Sequence, residues 1–168
     1  TTLAQGTAGL GVFFCTCARA FGCDSAAGVR ARELAELCLD KMELTAGALG
    51  RARTIPEEAV PLGVTAGIGG ALLALTHMER SLPTGRAREL AGAFVGLLDK
   101  APLQDARQSD VFSGTAGLVV GLVGLADLVG FASPDGPVGP EAESVPRASD
   151  PIAHHLRRAA DRLLAQRS

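Results

Sequence analysis

Apolar residues recur along this chain at helical spacing, in six runs of two kinds. Short runs that are nearly all apolar alternate with longer runs that carry charge on one side. Leu10, Phe13, Phe14, Cys17 and Phe21 fall three and four apart and predict a first helix over Leu10 to Phe21. Ala26 to Leu44 reads as an amphipathic helix, with Leu34, Leu37, Cys38 and Met42 on its apolar face and Arg30, Arg32, Glu33, Glu36, Asp40 and Lys41 mostly outside. Ile68 to Met78 repeats the first kind, packing through Leu72, Leu73 and Leu75. Arg86 to Lys100 repeats the second, with Leu90, Phe94, Leu97 and Leu98 inward. Leu118 to Val129 is apolar except for Asp127. Ile152 to Gln166 is amphipathic and basic, with Ile152, Leu156, Ala159, Leu163 and Leu164 on one side.

Breaks between the runs carry turn chemistry. Gly22-Cys23-Asp24-Ser25 and Ser81-Leu82-Pro83-Thr84-Gly85 are turns, and Ala101 to Ser109 is a loop. Thr45 to Pro61 reads as a connection, because Pro56 and Pro61 prevent a continuous helix. Ala132 to Ser149 is dense in Pro, Gly and acid, and its composition predicts a mobile loop. Asp150 can cap the last helix, with Pro151 at its favourable first position. No segment of any length alternates like a strand, so the fold class is all-α.

One stretch organises the rest: Ser109-Asp110-Val111-Phe112-Ser113-Gly114-Thr115-Ala116-Gly117-Leu118. It sets an acid four residues before a glycine-bounded turn that opens the third apolar run. Gly114 offers backbone angles that other residues avoid, and Gly117 lets a neighbouring backbone or ligand come close. The same turn occurs as Gly6-Thr7-Ala8-Gly9-Leu10 and again as Thr65-Ala66-Gly67-Ile68-Gly69-Gly70, preceded by Gly63. Gly9 and Gly67 lie 58 residues apart, and Gly67 and Gly117 lie 50 apart. That period fits a pair of helices with its loops, the unit of solenoids and α/α barrels. Gly69 and Gly70 each cost about 1 kcal/mol against Ala in a helix, and close approach of another element or a ligand is the natural reason for them. The expected architecture is a partial α/α toroid of about three helical pairs. Its repeats cover about 1–60, 61–104 and 105–168, each with a glycine-rich turn into an inner helix. A closed toroid needs more pairs, so the chain reads as part of a larger ring.

Composition narrows the function classes. A chain of 168 residues with 47% hydrophobic and 20% charged residues has enough material for one domain core. The formal net charge of -2, with no basic stripe, gives nucleic-acid binding little electrostatic support. The absence of Trp and Tyr removes a base-stacking platform as well. Cys15, Cys17, Cys23 and Cys38 form no Cys-x-x-Cys knuckle and read as free, mostly buried thiols in a reducing compartment. The start Thr1-Thr2-Leu3-Ala4-Gln5 lacks the basic residues of a signal peptide, and the expected location is the cytoplasm. Gly114 to Ala132 is nearly long enough to span a bilayer, but Asp127 would be costly there. A buried inner helix accounts for it better than a membrane span.

In this order the three motifs resemble the opening half of the lanthionine synthetase C-like cyclases, most closely the C-terminal cyclase domain of class II lanthipeptide synthetases. That family begins with a Gly-x-Ala-Gly turn, here Gly6 to Gly9. Its second repeat runs Gly-x-x-x-Gly-x-Gly-(Gly/Ser), here Gly63 to Gly70. Its third has Asp-Val-Ile-x-Gly-x-Ala-Gly, here Asp110 to Gly117. The resemblance covers nearly the whole chain apart from the acidic insertion. It implies an enzyme that joins cysteine thiols to dehydrated Ser or Thr in a precursor peptide, forming (methyl)lanthionine thioethers. It also implies a proton-transfer role for Asp110 and a zinc ion in the full-length domain. The family's zinc ligands, two Cys and one His, stand in later Cys-x-Gly and Cys-His-Gly contexts that do not occur here, and His77, His154 and His155 match none of those positions. Ala4-Gln5 replaces an aromatic-acid pair often found before the first turn. The chain is therefore expected to supply Asp110 and part of the barrel wall, to be inactive alone, and to have the precursor peptide and the remainder of the barrel as partners. On spacing alone Asp110 reads first as a cap for its turn or helix, and it is the resemblance that turns the reading toward proton transfer. Two other functions remain open: a non-catalytic helical-repeat module that binds peptides, and a fragment of an (α/α)-barrel carbohydrate-active enzyme, which would need a second, facing acid.

Overall fold

A computed structural model describes residues 6–52, 61–65, 67–100, 109–129 and 151–165. The acidic insertion, the Asp150 cap, residues 53–60 of the first connection and residues 101–108 of the loop before Ser109 lie outside the described residues. Six α-helices are present and, among the described residues, no strand: α1 Thr7–Phe21, α2 Ala26–Arg51, α3 Ile68–Ser81, α4 Arg86–Leu97, α5 Thr115–Leu128 and α6 Pro151–Ala165. The chain is all-α, as its periodicity implies. Ser25 caps α2 by accepting a 2.9 Å hydrogen bond from Gly28 N–H. That helix continues to Arg51, where the sequence suggested a connection from Thr45 onward. No proline stands between Thr45 and Arg51 to break it, and Ala46 and Leu49 still lean on the core.

The helices form two layers. In the inner layer α3 lies between α1 and α5; in the outer layer α4 touches both α2 and α6; each outer helix backs its own inner partner. Phe94 and Leu98 of the α4 segment, Met42 of α2, Leu72 and Leu75 of α3, and Leu118 and Leu122 of α5 are among the large side chains that are fully buried. Burying each such side chain contributes about 1.5–3 kcal/mol. Alone among the inner helices, α3 packs against an inner neighbour on both sides, and Ile68, Ala71, Leu72, Ala74, Leu75 and Met78 are buried along it.

The first helix departs from its expected face. Its buried residues are Ala8, Gly11, Cys15 and Ala18, while Leu10 and Phe13 are 53% and 58% exposed and Phe21 is 59% exposed. Small side chains let α1 fit between α2 and α3. An added Cβ at Gly11 would stand 2.8 Å from Met78 Sδ on α3 and 3.3 Å from Cys38 Cβ on α2. The larger residues are left on the far side. Leu37 of α2, also expected to face inward, is 54% exposed, and α2 buries Ala31, Ala35, Cys38, Leu39, Met42 and Ala46 instead.

Glycine sets the spacing between α3 and α5. A Cβ on Gly69 would lie 2.3 Å from the carbonyl oxygen of Gly117, and one on Gly121 would lie 2.5 Å from that of Gly69. Real Cβ atoms do not come so near backbone oxygen, so the two helices touch main chain to main chain. The glycines that open the inner helices take no unusual dihedrals. Gly6, Gly67 and Gly114 all have extended backbone, with φ of -122°, -124° and -111°. Positive φ among the described glycines is confined to the outer turns, at Gly22 and Gly85.

Two polar contacts anchor α4, one to the inner layer and one within the outer layer. Glu79, buried near the end of α3, accepts hydrogen bonds from Gly85 N–H at 2.8 Å and Arg88 N–H at 3.3 Å, so it caps α4 from another helix. Arg86 reaches Glu36, Asp40 and Glu43 of α2, three carboxylates on one helix face. These partners are substantially exposed and fix alignment more than they add stability.

The pair His154-His155, on a basic outer helix, reads from the sequence as solvated, but His155 is not. It is 1% exposed, because α6 turns it toward the α4 segment, where its Nε2 lies 3.5 Å from Asp99 Oδ1. Its neighbour His154 is exposed. Burial holds the His155 pKa below the ordinary 6.5, outweighing the upward pull of Asp99.

Two outcomes follow. Gly69→Ala is expected to destabilise the fold by roughly 2 kcal/mol or more through backbone collision. Gly92→Ala, at an exposed α4 site with nothing within 4 Å, stabilises it by about 1 kcal/mol; urea unfolding compares the two. Acidification tests His155. Below pH 6.5 the unfolded chain takes up a proton that the folded chain refuses, so stability falls as pH drops through that value. Urea midpoints at about pH 7.5 and pH 5.5 should differ in that direction, and the difference should shrink in His155→Leu.

Candidate functional site

The Asp110 stretch folds as a tight turn before α5. Asp110 C=O accepts from Gly114 N–H at 3.1 Å, and Asp110 Oδ1 accepts from both Phe112 N–H and Ser113 N–H at 2.8 Å. The side chain therefore does cap its own turn, as the spacing allowed. Among the described residues only one oxygen is committed. No described residue bonds Oδ2, and Asp110 is exposed beside the exposed side chains of Val111 and Phe112. A carboxylate with one oxygen anchored and one free, next to an apolar lip, can receive or deliver a proton at a fixed point.

The turn before α3 lies directly against it. Gly63, Val64 and Thr65 donate their N–H groups to the carbonyls of Ser113, Val111 and Phe112, at 3.2, 3.0 and 3.1 Å. The Thr65 hydroxyl also donates to Phe112 O, at 2.8 Å. Gly63 has no room for a side chain, since a Cβ would sit 2.1 Å from Phe112 O. Gly117 is equally closed, with Val111 O at 2.1 Å and Val64 N at 2.6 Å. The N-terminal ends of α3 and α5 thus form one hydrogen-bonded block.

This geometry corrects the alignment of the repeats. The helix-opening glycines are Gly6, Gly67 and Gly114, with matching backbone angles, so the structural counterpart of Gly6-Thr7-Ala8-Gly9 is Gly67-Ile68-Gly69-Gly70. The second Thr-Ala-Gly, which set the 58- and 50-residue spacings, stands three positions early. Thr65 consequently lies outside its helix, whereas Thr7 and Thr115 open theirs. Gly63 becomes the counterpart of Asp110. Each lies four residues before the opening glycine, and each carbonyl accepts that glycine's N–H at 3.1 Å. Sequence reasoning missed the role of Thr65; the Gly63-to-Gly67 spacing, identical to that of Asp110 to Gly114, was the signal that could have found it.

The histidines do not join Asp110. His77 lies nine residues into α3, roughly 13 Å along its axis from the turn, and its Nε2 is 3.4 Å from Thr16 Oγ1 of α1. His154 and His155 are on α6, ring against ring. Asp127 of α5 pairs with Arg80 of α3 on the exposed side of the inner layer. Among the described residues no three His, Cys, Asp or Glu side chains come together to hold a metal ion. All four cysteines are free, Cys15 and Cys38 buried and Cys17 and Cys23 half-buried. Burial pushes the Cys15 thiol up to about 11, with Glu36 and Cys38 adding to the effect, and raises Cys38 as well. The described residues bring together no ligand set for a zinc centre. No helix among the described residues is long and apolar enough to cross a membrane. No protein family, curated protein or solved structure matches the chain.

Asp110→Ala removes an acceptor for two turn amides and is expected to lower stability by about 1 kcal/mol. Asp110→Asn keeps an oxygen in the Oδ1 position and should unfold close to wild type. Denaturant melts of both variants check this, and they identify Asp110→Asn as the variant that removes the acid without loosening the turn.

Proposed function

We propose that this chain is one wall of a lanthipeptide cyclase domain, contributing Asp110 to thioether formation. One observation carries the reading. Asp110 has an anchored oxygen and a free one at the block where α3 and α5 begin, within the ordered set of glycine turns that resembles those cyclases. In this reading the three helical pairs are an arc of an α/α toroid, working in the cytoplasm. The remainder of the barrel and a dehydrated precursor peptide are its partners.

The chemistry is an addition. The sulfur of a substrate thiol bonds to the β-carbon of a dehydroalanine or dehydrobutyrine. The double-bond electron pair moves toward the neighbouring carbonyl, and a proton is delivered to the α-carbon. The thiol proton leaves to a base, so the atoms balance without any change of mass. Asp110 suits the proton side of this step: its turn holds it still while Oδ2 stays accessible. Thiol activation is left to groups outside the described residues, which is why the chain alone is expected to be inactive.

A second reading, a peptide-binding helical module without catalysis, draws on the exposed apolar side chains of the inner helices, Leu10 and Phe13 of α1 and Val120 and Val123 of α5. One experiment separates the two. The chain is assembled with a partner polypeptide bearing Cys-x-Gly and Cys-His-Gly motifs, a dehydrated peptide is added, and free thiols are counted by alkylation and mass spectrometry. The cyclase reading expects thiols to disappear, and Asp110→Asn to lower kcat by roughly 10²–10⁴ with little change in KM. Turnover at the wild-type rate in Asp110→Asn would sink the catalytic role. Peptide binding without thiol loss in any assembly would favour the binding module.

A further inference from the structure

The carboxylate of Asp110 is held by two peptide groups, and both are gripped from the preceding repeat. A trans peptide is a rigid plane, with its C=O on one edge and the following N–H on the other. No described peptide bond is cis. Phe112 N–H, which donates to Asp110 Oδ1, shares its plane with Val111 C=O, which accepts from Val64 N–H. Ser113 N–H, the second donor to Oδ1, shares its plane with Phe112 C=O, which accepts from both Thr65 N–H and the Thr65 hydroxyl. Fixing the carbonyl edge of each plane fixes the amide edge that holds the acid. Gly63 and Val64 contribute only main-chain groups to this grip. Thr65 alone contributes a side chain, and it can do so because its Thr-Ala-Gly stands three positions early and leaves the threonine outside α3.

We infer that Thr65 is a positioning residue for Asp110: its hydroxyl fixes the Phe112–Ser113 peptide plane and, through it, the aim of the carboxylate. The assignment rests on the reading of Asp110 as the reacting acid, but its geometric part stands or falls separately. Thr65→Val keeps the shape and removes the hydroxyl; Thr65→Ser restores it.

The test uses the full chain labelled with ¹⁵N, with water exchange of the Phe112 and Ser113 amides read by NMR beside core amides such as Leu75 and Phe94. Thr65→Val is expected to speed exchange at Phe112 and Ser113 by roughly three- to tenfold, the worth of one hydrogen bond. The core amides should stay unchanged, and Thr65→Ser should return both turn amides to wild-type rates. In the assembled cyclase the same valine variant lowers kcat without raising KM, and serine rescues it. Wild-type exchange at Phe112 and Ser113 in Thr65→Val would overturn the inference, as would an equal acceleration at the core amides or a failure of serine to rescue. If the exchange pattern holds while Asp110→Asn cyclises normally, the positioning stands and the catalytic reading of Asp110 is what fails.

Discussion

Everything at the candidate site depends on main chain meeting main chain between the second and third repeats. Three successive N–H groups, those of Gly63, Val64 and Thr65, find carbonyl partners across the gap at Ser113, Val111 and Phe112. Buried or half-buried peptide groups need such partners, and a loop that supplies another loop's partners needs no strand to do it. The approach is possible only where side chains are missing. Gly63, Gly69, Gly117 and Gly121 are the positions where a Cβ would meet backbone of the other segment at 2.1–2.6 Å. Two of these glycines lie well inside the approach between α3 and α5, and each carries a helix-propensity cost of about 1 kcal/mol. Hydrogen bonds across the turns and close helix contact offset that cost.

The rest of the fold supports this block from behind. The outer layer supplies large apolar side chains to the core, with Phe94, Leu98 and Met42 fully buried. Glu79 then makes the end of α3 and the start of α4 one unit, since a buried carboxylate is tolerable only when donors reach it, and the free N–H groups of α4 do. On the other flank α1 approaches α3 through small residues and a methionine, an adaptable filler whose sulfur lies where a larger α1 side chain would have to go. So α3 is fixed on one side by glycine and backbone and on the other by a thioether.

The helices were legible because three- and four-residue spacing survives almost any tertiary context. Leu90, Phe94, Leu97 and Leu98 are all buried as the periodicity implied. Burial on α1 was not legible. Periodicity marks an apolar face, but a helix squeezed between two neighbours can bury its small residues and turn Leu10 and Phe13 outward. The identity of Asp110 as the singular acid of the glycine turns was visible in the sequence, and so was its possible use as a cap. Its two amide donors were implied by that capping; its grip from the second repeat was not, because no local pattern reveals contacts between residues 47 apart. The glycines were rightly read as signs of close approach, yet their dihedrals turned out ordinary. His155 was misjudged for a different reason: a histidine pair on a basic helix gives no sign of which ring will face the interior.

The corrected alignment also explains why the acid stands in the third repeat and not the second. Gly63 and Asp110 occupy the same place, four residues before the helix-opening glycine, with the same carbonyl hydrogen bond. Their surroundings differ because of where each repeat sits in the row. At Gly63 the next repeat's turn presses in, and a Cβ would strike Phe112 O, its carbonyl carbon and Ser113 Cα within 2.4 Å. At Asp110 a side chain fits, and its own turn presents two N–H groups to receive it. The second turn therefore gives up a side chain and supplies donors, while the third accepts those donors on its carbonyls and turns its amides toward a carboxylate. Repetition supplies the two turns, and their unequal packing lets only the later one carry an acid.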